Sequence, residues 1–232
     1  MTEIAANVKR VREAMDRAGG GRRLYLVAAT KMNGAAAVRE AIAAGVDACG
    51  ENRVQELLEK EALHAYDGAP KHFIGHLQRN KVNKLVGLVD LIQSVDSEEL
   101  LTAIDRAAGR RGIRQDILIE ISIAGEAQKS GIAPEKLPAL LDLAAGLPGL
   151  RVRGLMCVPP ILGPGENNRR YFSKMYQLFV DSGNRKCDNI TMDFLSMGMT
   201  DDYPDAISEG ANMVRVGTGI FGARPYGQNS TE

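Results

Sequence analysis

Short apolar runs alternate with amphipathic helical runs along this chain, and that alternation constrains the fold more than any other feature. The strand-like runs are "LYLVAAT", "DACGEN", "HFIGH", "LIQSV", "DILIEISI", "VRGLMCV", "MDFLSMG" and "MVRVGTGIFG", eight in all. Nearly every one is followed by a helical run: "AAAVREAIAAG", "RVQELLEKEALHAY", "NKVNKLVGL", "DSEELLTAIDRAAGRRG", "APEKLPALLDLAAG", "ENNRRYFSKMYQLFVDS" and "DDYPDAISEG". A further helix, Ile4 to Ala18, comes before the first strand, with apolar positions at Ile4, Val8, Val11 and Met15 and a glycine stop at "GGG". Strands so short and so rich in Val, Ile and Leu suit a parallel sheet buried on both faces. Regular βα alternation over 232 residues leaves an eight-stranded barrel or an open doubly wound sheet. The count of eight favours the barrel, and no G-x-G-x-x-G follows the first strand, so the dinucleotide-binding signature is missing. The expectation is a single (β/α)8 TIM-barrel domain over residues 1–232, α/β in class, with an additional N-terminal helix.

Composition narrows the partners. With 29 basic and 29 acidic residues the formal charge is zero, so no global field draws the chain to nucleic acid or an anionic membrane. Any bound anion needs a local site. Cys49, Cys157 and Cys187 are irregularly spaced and fit neither a disulfide framework nor a metal knuckle. No run approaches the length of a membrane span, and the charged N-terminus does not read as a signal peptide, so a cytoplasmic protein is expected.

In a βα barrel, function gathers at the C-terminal ends of the strands. The residues leaving these strands are polar: Lys31, Glu51, Asn52, His76, Gln78, Ser94, Asp96, Ser196, Arg215, Gly217 and Thr218. Strand alternation puts Tyr25, Val27, Ala29 and Lys31 on one face, so Lys31 rises into the mouth if Val27 and Ala29 fill the interior. A strand-end lysine often does no more than snorkel to solvent. Here the small residues of "AATK" leave room beside the amine, and a semi-enclosed lysine can form a Schiff base with an aldehyde. In "VRVGTGIFG", Gly217 and Gly219 allow close approach of the backbone, and the amides of Gly217 and Thr218 suit a phosphate, although a glycine-relieved tight turn reads the same way. Arg215 shares a strand face with Met213 and Gly217, and a cation that deep needs an acceptor. Ser196 closes strand seven beside the glycines, while Thr200, Asp201 and Asp202 read as a helix cap with first-turn acids. His72 and His76 share a face, but no ligand set accompanies them, so no metal site is expected. Cys49 and Cys157 read as core residues.

Taken together, "AATK", "GENRVQE", "HFIGHLQRNK", "LIQSVDS", "LMCVPP", "DFLSMGMTDDYPDAI" and "VRVGTGIFGARPY" closely resemble the pyridoxal phosphate homeostasis protein family, also called proline synthase co-transcribed homologues. The resemblance runs from about Val8 to Tyr226. Lys71, where the family often has tryptophan, and Met32 and Asn33, after the lysine, depart from it. The resemblance implies a barrel of the alanine racemase N-terminal type, carrying pyridoxal 5′-phosphate as a Schiff base on Lys31. It also implies that Arg215 partners the pyridine nitrogen, that Ser196, Gly217 and Thr218 hold the phosphate, that Asn52 lies near the ring, and that His76 and Gln78 lie near the mouth. An arginine at that nitrogen disfavours its protonation and weakens the cofactor as an electron sink.

Two function classes follow. One is a non-catalytic carrier that buffers intracellular pyridoxal phosphate, and with it vitamin B6 and amino and keto acid pools, possessing no catalytic residues and passing cofactor to apo-enzymes. The other is an amino-acid racemase. Racemisation needs acid and base groups on both faces of the α-carbon, and racemases of this barrel type take a tyrosine from an added β-domain. The run after the eighth strand, "GARPYGQNSTE", is too short for one, and nothing marks Tyr203 as a substitute. The carrier, as a monomer, is the expectation.

Overall fold

The computed structural model describes residues 1–125, 130–160, 162, 166–185 and 187–222. The "ARPY" end of the last motif, and the rest of residues 223–232, lie outside the described residues.

Eight parallel strands close into a barrel in chain order. They are β1 (Tyr25–Ala29), β2 (Ala48–Glu51), β3 (Lys71–Phe73), β4 (Leu91–Val95), β5 (Gln115–Glu120), β6 (Leu150–Met156), β7 (Ile190–Ser196) and β8 (Met213–Val216). Closure pairs β1 with β8 and sets Val27 opposite Arg215. The alternation of β1 is as expected: Val27 faces a small interior cluster with Ala48, Leu91, Leu118, Met156 and Met213. Leu26 and Ala28 face the larger core between barrel and helices. That outer core is lined by α2 (Ala35–Ala43), α3 (Val54–Ala62), α4 (Val82–Leu85), α5 (Glu98–Arg111), α6 (Leu137–Ala145), α7 (Arg169–Gly183), α8 (Tyr203–Ser208) and α9 (Thr218–Phe221). Each aliphatic side chain sealed there stabilises the fold by about 1.5–3 kcal/mol. Both strand faces are apolar because both are covered.

The N-terminal helix α1 (Glu3–Gly19) starts where the Thr2 hydroxyl accepts from the Ala5 amide, and it ends at Gly20 with φ 58°. It packs on α2, α8 and α9, and the Asn7 amide donates to the Ile220 carbonyl at 2.9 Å, so α1 braces α9, the last helix among the described residues. Ser97, and not Asp96, caps α5 by accepting from Leu100 N. The strand β3 is shorter than "HFIGH" suggests. A Cβ on Gly75 would lie 2.2 Å from the Asn52 carbonyl, so the chain turns there against the loop after β2. At the N-terminal end of the barrel, Asp116 pairs with Arg151 and Arg153, each at 2.6 Å, and Tyr25 meets Phe194 edge-on, which closes that end. Among the described residues no helix is long and apolar enough to cross a membrane.

Candidate functional site

Above the apolar interior cluster the barrel turns polar. Arg215, only 4% exposed, donates from Nη1 to Ser196 Oγ at 2.5 Å and from Nη2 to the Cys157 carbonyl at 2.8 Å. The Ser196 hydroxyl donates in turn to Gln93 Oε1 at 2.7 Å, and Gln93 Nε2 lies 2.9 Å from His72 Nδ1. The chain of donors has one direction, from the guanidinium to the imidazole, so His72 Nδ1 accepts. Burial pushes His72 down to about 4, with Asp90 a small opposing influence, so the ring is neutral at neutral pH. Burial also works against the charge on Arg215, while Cys157, Glu120 and Asp202 oppose that shift. Ser196 therefore does not lie free beside the glycines: its hydroxyl holds Arg215 in place.

Glu120 ends β5 at 6% exposure, and burial together with nearby Asp96 pushes it up to about 7, Arg215 only partly offsetting them. Sequence reading missed both Gln93 and Glu120. Their signal was present: a glutamine inside "LIQSV" and a carboxylate inside "DILIEISI" are polar residues at the centre of otherwise apolar strands.

Lys31 follows β1 at the corner of a β-turn in which the Asn33 amide donates to the Thr30 carbonyl at 3.1 Å. Met32 occupies the third turn position with φ 61°, the left-handed region usually left to Gly or Asn. On the neighbouring strand the Gly217 and Thr218 amides have no acceptor among the described residues. Thr200 Oγ1 accepts from Gly219 N at 3.1 Å and from the Thr218 hydroxyl at 3.2 Å, which orders the first turn of α9. A Cβ on Gly217 would make only ordinary contact with Ala29, at 3.6 Å, so the space above its backbone is open.

Asn52 is half-buried, and its Oδ1 is buried with no partner among the described residues. His76 is exposed, with Nδ1 3.3 Å from Ser130 Oγ and 3.7 Å from Asp96, and it lines a cavity of about 300 Å³ with Gln78 and Asn52. Asp202 stands at the N-cap of α8 but makes no side-chain cap bond; its carboxylate accepts from the Met199 amide at 2.7 Å and from Asn168 at 2.9 Å. Tyr203 packs in the outer core. No metal-binding group of His, Cys, Asp and Glu exists among the described residues. The Cys49 and Cys157 thiols are buried and pushed up to about 12, consistent with core roles.

The mouth thus gathers Lys31 just after β1, the Gly217 and Thr218 amides after β8, the fixed guanidinium of Arg215 and the buried, unpartnered Oδ1 of Asn52. Residues 1–225 match the family described as alanine racemase, N-terminal domain. The chain is 43% identical over 221 residues to a pyridoxal phosphate homeostasis protein of Aquifex aeolicus, covering 94% of this chain and 96% of that one. It is 40% identical to a protein of the same description from Pseudomonas aeruginosa, with 98% of each chain covered. Among solved structures it resembles PipY of Synechococcus elongatus with PLP bound, at a TM-score of 0.83, 34% identity, and coverage of 94% and 100%.

Proposed function

The chain belongs to the pyridoxal phosphate homeostasis protein family, and from that premise we propose that it binds pyridoxal 5′-phosphate at the barrel mouth and holds it for cellular use without turnover. The observation that supports this reading is the seam between β1 and β8, whose register of Val27 to Arg215 and Ala28 to Val216 runs toward Lys31 on one side and Gly217 and Thr218 on the other. Lys31 would be the covalent holder of the cofactor, its amine being the group that can bind an aldehyde. The Gly217 and Thr218 amides would hold its phosphate, Arg215 would partner its ring nitrogen, and Asn52, whose Oδ1 is buried without a partner among the described residues, would lie near its ring. Ser196 acts through Arg215, whose donors it orients. When bound, the cofactor supplies a reactive carbonyl and an electron-withdrawing ring.

The carrier reading is supported by the ring-nitrogen partner, an arginine that does not give up its proton, and by the position of Tyr203 in the outer core. In this reading the chain is one domain, a cytoplasmic monomer, and its cofactor passes to apo-enzymes that require it. The test is reduction of the loaded protein with borohydride followed by peptide mass mapping. The adduct is expected on Lys31 and absent from Lys31→Ala, and an adduct that survives in Lys31→Ala refutes the assignment. The same preparation in deuterated water should leave the α-protons of amino acids in place; rapid exchange would favour the racemase.

A further inference from the structure

The helix α3 carries two charged residues one turn apart, and both reach the backbone around Lys31. Lys60 Nζ donates to the Thr30 carbonyl at 2.7 Å, and Glu56 Oε2 accepts from the Met32 amide at 2.8 Å. These are the two peptide groups that flank Lys31. Met32 needs such a restraint, because φ 61° is a conformation that L side chains avoid. The Lys60 ammonium is neutralised by Glu51, which is 1% exposed and also accepts from the Thr30 hydroxyl at 2.7 Å. Lys60 and Glu56 lie 3.5 Å apart, so the two anchors also brace each other.

Resting on the cofactor reading above, we propose that Glu56 and Lys60 are positioning residues for Lys31, fixing the peptide on each side of it so that its amine is presented in one orientation at the mouth. A buried ion pair by itself is weak evidence of anything beyond tertiary structure. Here the charges spend hydrogen bonds on the two peptides of a single strained turn, a distribution that stability alone does not require.

The experiment compares full-length Glu56→Ala and Glu56→Gln with the unmodified chain. Glu56 is partly exposed, so both variants should fold, and a urea midpoint for each checks this. In cofactor-free protein, amide hydrogen exchange at Met32 should lose about tenfold of its protection in Glu56→Ala, and stay within about threefold in Glu56→Gln, whose amide oxygen accepts the same hydrogen bond. In protein loaded with pyridoxal 5′-phosphate, release should be about tenfold faster in Glu56→Ala and close to unmodified in Glu56→Gln. Unchanged protection and release in Glu56→Ala overturn the proposal. So does equal loss in both variants, which would make the charge, and not the clamp on the Met32 amide, the active feature. A loaded protein with no adduct on Lys31 would instead remove the cofactor reading, while exchange at Met32 still decides whether the clamp exists.

Discussion

Glu120→Gln replaces a buried carboxyl at the mouth with a neutral group of the same shape. In the folded chain Glu120 titrates near 7, against 4.5 without its surroundings. A raised carboxyl pKa means that the fold holds a proton that the unfolded chain has already lost. The associated stability is complete below about 4.5 and is lost as pH rises through about 7. At 1.36 kcal/mol per unit, the ionised carboxylate weighs on the fold by about 3 kcal/mol at pH 8. The glutamine variant should therefore exceed the unmodified protein by no more than about 1 kcal/mol near pH 5 and by about 2–3 kcal/mol near pH 8, read from urea unfolding at the two pH values. His72 titrates in the opposite sense: lowered from 6.5 to about 4, it removes stability as pH falls through that window, by about 3 kcal/mol in full. In the unmodified chain the two slopes oppose each other between roughly pH 4.5 and 6.5. With Glu120→Gln, the acid-side loss from His72 should stand alone. Arg215 keeps its bonds to Ser196 and Cys157 in this variant, so cofactor loading should persist. Stability curves that coincide within about 0.5 kcal/mol at pH 5 and pH 8 would refute the claim that Glu120 is desolvated.

Lys60→Met leaves the Glu51 carboxylate buried without its cation and should destabilise the chain by about 3–5 kcal/mol, whereas Lys60→Met combined with Glu51→Gln should recover much of that loss. Denaturant unfolding of the double-mutant cycle measures the coupling, and a coupling under about 0.5 kcal/mol would mean that the pair is solvated. Gly75→Ala drives a methyl group against the Asn52 backbone, at a distance of 2.2 Å before relaxation, so it should lower the thermal midpoint and weaken cofactor binding together by displacing the loop that carries Asn52. Calorimetry and a binding titration read the two effects, and a change in neither would show that this contact is not needed.

Eight strands in the right order, the leading helix with its glycine stop, the inward face of β1 and the lysine and glycine motifs at its two seam strands were all legible in the sequence, because each is written in spacing over a few residues. Lys31 and Gly217 could be named as candidates because the barrel rule converts a strand end into a place at the mouth. What could not be read was which polar groups engage one another. Ser196 meets Gln93 across 103 residues of chain, and Lys60 reaches Thr30 across 30. The registers of β4 with β5, β5 with β6 and β6 with β7 each shift part-way along the strands, which no local pattern announces. A local pattern states what a residue can offer as donor, acceptor or charge. Only closure of the barrel decides the partner, since the strength of a hydrogen bond or a desolvation shift depends on atoms brought within a few ångströms by strands far apart in sequence.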